Sequence, residues 1–383
     1  MNNICLINII SAQNMPNFIP VLVLKPQKVV NIIGGYPSSH HRLKLAIEKL
    51  LGKGCTVECK NADSESPDTK EMESIIMEIL SENTKDFCCI VNISGGTKPM
   101  SFGAMIGAMK SKLSNGAIIY VEKNRIQYLC RFGDNVKRIG EDSFADEIKN
   151  IPNLLDLIVL ANNGSTLNRG KSWKRYVHAA ELLFKYFSKE RKPIAPEKDD
   201  EKDPYCAVFL EKLNEIQPEI VKAMCESGLA QQSSDGKYLS YMDNLNPRIA
   251  DVKQFYQGMW WEVYVASRIN KSGLFKDICW SAVSNNMEED IIALQEGSVV
   301  PFIFSMKRSF SYERLLPHLY EFEGRANSIG SVMSKKLLCV FNFNAYAKNR
   351  ENFERAAAAL GIDVIKGREV EELKYPDNRW CWE

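Results

Sequence analysis

Short apolar runs alternate with amphipathic segments along the first third of the chain. Residues 4–10, 29–34, 87–93 and 116–122 are apolar runs of the length of buried strands. Between two of them, residues 67–80 repeat apolar side chains at the 3.6-residue spacing of a helix. Strands that alternate with helices predict a parallel sheet with helices on both faces. The first 140 residues are therefore expected to form one α/β domain with a parallel sheet wound on both sides.

The hydrophobic pattern changes twice further along the chain. Residues 141–250 carry mostly helical patterns and predict a helical connecting region. A second α/β pattern occupies residues 251–383, with a helix at 259–270 and strands at 290–294 and 299–307. The sequence thus predicts an α/β protein in which two α/β domains flank a mainly helical region.

Composition narrows the class of protein. A chain of 383 residues, 45% of them hydrophobic, is large enough to bury more than one core. A net charge of +1 argues against a broad basic surface for nucleic acid, although a local basic groove is compatible with it. Eleven cysteines without zinc spacing indicate reduced thiols and a cytoplasmic protein. We see no basic leader and no run that could cross a bilayer, so no membrane partner is expected.

A glycine turn is the first stretch with candidate chemistry. It follows the strand at 87–93 and consists of Ser94, Gly95, Gly96, Thr97 and Lys98. The two glycines allow positive φ and close approach of a ligand, and the proline that follows suits the first turn of a helix. The turn would offer amides, two hydroxyls and an ammonium to a phosphodiester. An ordinary tight turn of an α/β sheet is an equally good interpretation of these residues alone.

A second loop follows the first strand and begins with Ser11, Ala12, Gln13 and Asn14. In a parallel sheet, ligands bind at the carboxyl ends of the strands where the winding direction switches. Because both loops follow strands, we expect them to meet at that edge of the sheet.

Acidic and basic residues near the predicted hairpin at 290–307 are candidates for a hydrolytic site. Side chains two apart on a strand share a face, so Ser305 and Lys307 should point together. Glu262 on the preceding helix and Asp290 at the start of a strand could hold Mg²⁺ or Mn²⁺, and the lysine could steady developing negative charge. The spacing is loose, and on the residues alone ordinary surface charges are the preferred interpretation. The four histidines are isolated or merely adjacent in sequence and are expected at surface or helix positions.

The two loop motifs favour functional sites over ordinary turns and surface charges because they resemble those of a known family. Residues 11–16, Ser-Ala-Gln-Asn-Met-Pro, and residues 92–101, Asn-Ile-Ser-Gly-Gly-Thr-Lys-Pro-Met-Ser, resemble the ligand-facing motifs of the CRISPR-associated Rossmann-fold (CARF) domain. The resemblance implies a homodimer that binds a cyclic oligoadenylate, with the tetra-adenylate favoured, across two CARF domains. It also implies that the two loops contact the ring, with Lys98 at a phosphate.

The C-terminal part resembles the PD-(D/E)xK restriction-endonuclease-like domain that some CARF proteins carry. The resemblance rests on ordered segments around Glu262, Asp290 and Lys307, followed by residues 319–323, Leu-Tyr-Glu-Phe-Glu. It implies catalytic roles for Glu262, Asp290 and Lys307, and Mg²⁺ or Mn²⁺ on the carboxylates. Ser305 departs from the family pattern, which has glutamate there. A carboxylate could have moved to the following helix, where Glu323 is the first choice as metal ligand and Glu321 the second.

The resemblance therefore implies a cyclic-oligoadenylate-activated, metal-dependent nuclease of type III CRISPR antiviral defence that cleaves DNA or RNA. The alternative is a catalytically impaired CARF protein that acts as a sensor, sink or scaffold for the ring nucleotide. A third possibility is a protein that slowly cleaves its own activator.

Overall fold

The computed structural model of the chain describes residues 3–111, 113–122, 125–133, 141–169, 173–189, 207–234, 236–240, 252–285, 287–309, 312–330, 333–342, 347–367 and 369–372. These residues form two α/β units with a helical region between them, so the predicted fold class is confirmed. The strands of the two larger sheets occupy the predicted apolar runs, with ends that differ by one to three residues in most cases.

The N-terminal unit is built on a six-stranded sheet. Its strands are β1 Ile4–Ile9, β2 Lys28–Ile33, β3 Thr56–Asn61, β4 Cys88–Asn92, β5 Gly116–Glu122 and β6 Arg125–Phe132. Their order is β3-β2-β1-β4-β5-β6, and only the pairing of β5 with β6 is antiparallel. The chain winds from β1 toward β3 and then restarts at β4 beside β1, so the winding direction switches between β1 and β4.

Four helices cover this sheet, two on each face. They are α1 Met15–Leu24, α2 Pro37–Leu51, α3 Thr69–Asn83 and α4 Lys98–Lys110. The apolar side chains of α1 and α2 share one core with alternate residues of the strands, and those of α3 and α4 share another with the intervening residues. Burial of both sheet faces explains why β1, β2 and β4 are apolar runs rather than alternating patterns.

The connecting region is mainly helical, as predicted. It contains α5 Glu141–Lys149, α6 Leu154–Asn163, a 3₁₀ turn Trp173–Tyr176, α7 Val177–Phe187, α8 Ala207–Ile216, α9 Pro218–Glu226 and the antiparallel strands β7 Ala230–Gln232 and β8 Tyr238–Ser240. The sequence predicts one continuous helix over 206–228, but the structure has two. The helix ends before Pro218 because a proline disfavours helical dihedrals in the residue that precedes it, and Gln217 adopts φ −143°, ψ 69°.

The C-terminal unit is built on a five-stranded sheet of order β13-β12-β11-β10-β9. Its strands are β9 Phe275–Ser284, β10 Met287–Gln295, β11 Pro301–Ser309, β12 Lys335–Asn342 and β13 Ile362–Lys366. Its helices are α10 Val252–Gln254, a π-helical turn Phe255–Met259, α11 Trp260–Ser272, α12 Tyr312–Gly330, α13 Ala347–Ala359 and a 3₁₀ turn Glu369–Glu372.

Helix α6 joins the two α/β units through a shared apolar core. Leu155 and Ile158 are fully buried in the same cluster as Leu6 of the first sheet and Ile292 of the second. The two sheets are therefore packed into one continuous body through this helix. Among the described residues, none of the helices combines the length and apolarity needed to cross a bilayer.

Candidate functional site

The two predicted loops meet in a cavity at the carboxyl edge of the first sheet. The cavity has a volume of about 560 Å³ and lies at the switch point between β1 and β4. Residues of the predicted loops that line it are Ser11, Ala12, Gln13, Ser94, Gly96 and Thr97. Their meeting was predicted from the strand–loop order alone, and the adjacent positions of β1 and β4 in the sheet bring it about.

The two glycines are required by the backbone of the turn. A Cβ atom on Gly95 would lie 1.9 Å from the carbonyl oxygen of Ile9, so no other residue fits without moving the neighbouring strand. Gly96 adopts φ +76°, a left-handed conformation that costs residues with a side chain roughly 1–2 kcal/mol. The glycine turn therefore packs directly against the end of β1, which holds the two loops at contact distance.

Helix α4 begins at the cavity. Thr97 precedes the helix in extended conformation, and Lys98 and Pro99 are its first two residues. The first amides of a helix have no partner within it and lie at the positive end of its dipole, which favours a bound anion. The Thr97 amide contacts Met100 Sδ, a weak acceptor, at 3.4 Å. Lys98 is exposed and lies outside the cavity lining.

Buried asparagines beneath the cavity hold the loops in place. The side-chain amide of Asn92 donates to Pro16 O at 2.9 Å and to Asn8 Oδ1 at 3.0 Å, while its oxygen accepts from Ser94 N at 3.1 Å. One side chain thus links the two loops. Asn14, expected at the ligand, is 1% exposed and donates instead to the backbone oxygens of Ser39 and Ala161.

The far wall of the cavity comes from two loops that the sequence analysis did not select. Gly35 and Tyr36 follow β2, and Glu65 and Ser66 follow β3. Their strands continue the same parallel sheet, so their carboxyl ends share the edge with those of β1 and β4. Strand order could have identified them, but that order is not encoded in any local pattern.

The second candidate site lies where two strands of the C-terminal sheet separate. Strand β10 pairs with β11 only over 291–294 and 301–304, whereas β10 pairs with β9 over 287–295 and β11 pairs with β12 over 302–309. Asp290 is the first residue of β10 beyond the paired segment and lies inside the strand, not at its start as predicted. Its Oδ2 atom accepts from Met306 N at 2.5 Å and from Ser305 Oγ at 3.3 Å, so the carboxylate bridges the fork.

Glu262 approaches the fork from α11. Its Oε2 atom accepts a hydrogen bond from Trp280 Nε1 at 2.9 Å. Burial raises the pKa of Glu262 well above its usual value, and the nearby Asp290 carboxylate raises it further. Burial also raises the pKa of Asp290, while Lys307 acts in the opposite direction. The structure therefore brings together four of the predicted residues, Glu262, Asp290, Ser305 and Lys307.

Helix α12 contributes Glu321, the second choice for the moved carboxylate, and His318, which was not expected at the site. His318 Nε2 lies 2.9 Å from Ser305 Oγ, and burial lowers the pKa of His318 to about 3, so its imidazole is neutral at pH 7. Glu321 lies 3.9 Å from His318 Nδ1 and also pairs with Arg325. Residues 318, 321 and 325 have the i, i+3, i+7 spacing of one helix face, a signal that the sequence contained.

Glu323, the first choice for a moved carboxylate, points elsewhere. It accepts from Asn327 Nδ2 at 2.5 Å and lies 3.9 Å from Lys336 Nζ. Its role as a ligand remains a prediction, and of the two glutamates the geometry favours Glu321. Glu289 was also missed: it is 1% exposed, pairs with Arg325 at 2.8 Å, and leaves Oε2 buried without a hydrogen-bond partner.

Two of the three predicted metal ligands lie at the fork. Glu262 and Asp290 supply carboxylates there, whereas Glu323 points elsewhere and the hydroxyl of Ser305 is hydrogen-bonded to His318. Within the part of the chain that the structure describes, no three His, Cys, Asp or Glu side chains are arranged to hold a metal ion. The predicted Mg²⁺ or Mn²⁺ site stays a prediction.

Comparison with known proteins finds a family match for the N-terminal unit. Residues 5–139 match the family model of the Card1 CARF domain, which confirms the CARF resemblance for this part of the chain. No curated protein matched the sequence. The resemblance of the C-terminal part to a PD-(D/E)xK domain stays a prediction.

Three solved structures share the fold at low sequence identity. Protein VC1899 from Vibrio cholerae has a TM-score of 0.66 at 15% identity, over 98% of this chain and 97% of its own. Can2 from Sulfobacillus thermosulfidooxidans, in complex with cyclic tetra-adenylate, has a TM-score of 0.62 at 16% identity, over 97% and 98%. A type III CRISPR defence DNA nuclease activated by cyclic oligoadenylate has a TM-score of 0.54 at 14% identity, over 91% of this chain and 47% of its own. This chain therefore spans about half the length of that nuclease.

Proposed function

We propose that the chain is a cyclic-oligoadenylate receptor of type III CRISPR antiviral defence. The observation that carries the proposal is the cavity of about 560 Å³ at the switch point of a sheet that matches the Card1 CARF domain. Can2, which shares the fold over nearly the whole chain, was solved with cyclic tetra-adenylate, so the ring of four nucleotides is the ligand to test first.

The cavity suits a phosphodiester ring because polar groups line it on two sides. The start of α4 and the glycine turn offer backbone amides to phosphate oxygens, and Lys98 lies at the first position of α4, where it can neutralise phosphate charge. Ser11 and Gln13 provide polar groups on the opposing loop. Asn14 holds that loop on α2 and α6, so its contribution to binding would be indirect.

A second copy of the chain would complete the receptor. The outward face of α4 carries Phe102 and Met109, each 55% exposed, with half-buried Met105 and Ile106 between them. This apolar face starts beside the cavity, because α4 begins there. A two-fold dimer formed through it would place two identical cavities near its axis, which matches the symmetry of a cyclic tetranucleotide.

Metal-dependent phosphodiester cleavage at the fork is the second candidate function. Glu262, Asp290 and Lys307 converge there, and the solved neighbours include a DNA nuclease activated by cyclic oligoadenylate. The alternative, a sensor or sink without nuclease activity, is supported by Ser305, which stands where the resembled family has a carboxylate and is hydrogen-bonded to His318.

Calorimetric titration with cyclic tri-, tetra- and hexa-adenylate tests the receptor. We expect saturable binding of at least one ring, with one ring per two chains, and no binding of linear tetra-adenylate of matching length at the same concentration. Absence of binding for every ring contradicts the proposal.

A supercoiled plasmid and a single-stranded RNA incubated with Mn²⁺, with and without the bound ring, test the fork. Cleavage that depends on both the ring and Lys307 supports the nuclease. Intact substrates under every condition support the sensor, and loss of the ring itself would indicate self-limiting cleavage of the activator.

A further inference from the structure

The far wall of the cavity carries a carboxylate and an aromatic ring. Glu65 follows β3 and Tyr36 follows β2, whereas the glycine turn follows β4. Strand β3 is three strands away from β4 in the sheet, about 14 Å at the usual spacing between strands. The acidic residue and the start of α4 are thus at opposite ends of one cavity.

Hydrogen bonds fix the backbone that carries Glu65. The carboxylate of Glu71 accepts from Asp63 N at 2.7 Å, from Ser64 N at 3.2 Å and from Ser64 Oγ at 2.9 Å. Gly35 N donates to Glu65 O at 2.7 Å, which ties the loop after β3 to the loop after β2. Glu65 therefore lies on a loop whose backbone is fixed by hydrogen bonds, as a recognition residue requires.

The chemistry of a carboxylate limits what it can contact in this ligand. A carboxylate accepts hydrogen bonds and repels phosphate, which the start of α4 attracts. In a cyclic oligoadenylate the available donors are the N6 amino group of adenine and the ribose 2′-hydroxyl. Tyr36 is 46% exposed, and an aromatic ring of this kind offers a stacking surface for a base.

We propose that Tyr36 and Glu65 form an adenine-reading subsite. The base stacks on Tyr36, and the N6 amino group donates a hydrogen bond to the Glu65 carboxylate. This inference rests on the proposed receptor function and adds to it the selection of adenine over bases that lack a donor at that position.

The test compares two rings that differ only at the amino group. The first ring is cyclic tetra-adenylate. The second is its analogue in which each adenine is replaced by unsubstituted purine, which lacks the N6 amino group. Both are titrated into the wild-type protein and the variants Glu65→Ala and Glu82→Ala. We expect the wild type to prefer the adenine ring by about 10-fold per recognised base, the effect of one hydrogen bond to a charged group. Glu65→Ala should bind both rings alike, and Glu82→Ala should keep the preference.

The ratio of the two affinities is the readout because removal of a negative charge changes the binding of both anionic rings equally. Glu82 is exposed on α3 and lies outside the cavity lining, so its variant controls for net charge. For the aromatic ring, Tyr36→Phe should bind within about 2-fold of the wild type, and Tyr36→Leu about 10-fold more weakly.

Three results would overturn the inference, and each has a distinct form. A wild-type preference that persists in Glu65→Ala removes the role of the carboxylate. If the wild type prefers cyclic tetra-adenylate to its 2′-deoxy analogue, and Glu65→Ala abolishes that preference instead of the preference for the amino group, Glu65 reads the sugar. Failure of the wild type to bind any ring contradicts the receptor function itself, and the subsite with it.

Discussion

Replacement of Asn92 by Asp probes how the cavity is built, since it exchanges one NH₂ group for an oxygen. Asn92 is fully buried at the end of β4. Its Nδ2 atom lies 2.9 Å from Pro16 O, 3.0 Å from Asn8 Oδ1 and 3.2 Å from Asn17 Oδ1, three acceptors that share two N–H groups. Aspartate has no donor to offer them.

The expected loss in the free energy of unfolding follows from these contacts. Loss of two donated hydrogen bonds leaves buried acceptors unsatisfied, at about 1–3 kcal/mol each, and an ionised carboxylate would face three oxygens. We therefore expect a loss of about 3–5 kcal/mol in the free energy of unfolding. The Oδ1 atom of Asn92, which accepts from Ser94 N and Ser94 Oγ, has a counterpart in aspartate. Only the hydrogen bonds to Asn8, Pro16 and Asn17 should be lost, and those from Ser94 should be kept.

Urea denaturation followed by circular dichroism measures the effect, with the exposed substitution Asn61→Asp as a control of equal charge. At an m-value of about 3 kcal/mol per molar, the midpoint should fall by about 1 M or more, and the control should stay within about 0.2 M. Affinity for cyclic tetra-adenylate should fall as well. Equal midpoints for the two variants would refute the argument that Asn92 ties the loops together.

Three further predictions concern both sites. Gly95→Ala should abolish ring binding, measured by calorimetry, and lower stability, measured by urea titration, because its Cβ would lie 1.9 Å from a β1 carbonyl oxygen. Gly54→Ala, whose Cβ would have open space around it, should change neither quantity. Burial raises the pKa of Glu289 to about 7, so the folded state holds this proton more tightly than the unfolded state. The stability associated with that proton is present below about pH 4.5 and lost as the pH rises through about 7, so the wild type should lose stability relative to Glu289→Gln between pH 5 and 8. A difference that does not change with pH would contradict this. If the fork cleaves nucleic acid, Glu321→Ala should reduce the rate in a plasmid assay by at least 10-fold and Glu323→Ala by less than 3-fold; the reverse order would restore Glu323 as the ligand.

The predictions succeeded where the information is local. Buried strands are apolar runs, helices repeat every 3.6 residues, and both signals lie within a dozen residues. The glycine turn could be predicted for the same reason, because the need for a residue without Cβ is a property of one backbone position. The corresponding local rule for prolines was overlooked once, at Pro218.

The role of a polar side chain was harder to predict because it depends on distant partners. Asn14 belongs to a loop that resembles a ligand-binding motif, yet its amide bonds to Ala161, 147 residues away. Glu323 and Glu321 are two positions apart on one helix, and only the packing of α12 on the second sheet decides which of them turns toward His318.

By itself, then, the sequence determined the order of the elements, the loops that follow each strand and the position of the glycine turn, since neighbouring residues specify all of these. The tertiary structure alone decided the order of strands in each sheet. That order brings Tyr36 and Glu65 to the wall opposite the glycine turn, and it opens the fork in which Asp290 meets Ser305. Pairing between distant segments is set by the sum of many weak contacts across the whole core, and no short stretch of sequence contains that sum.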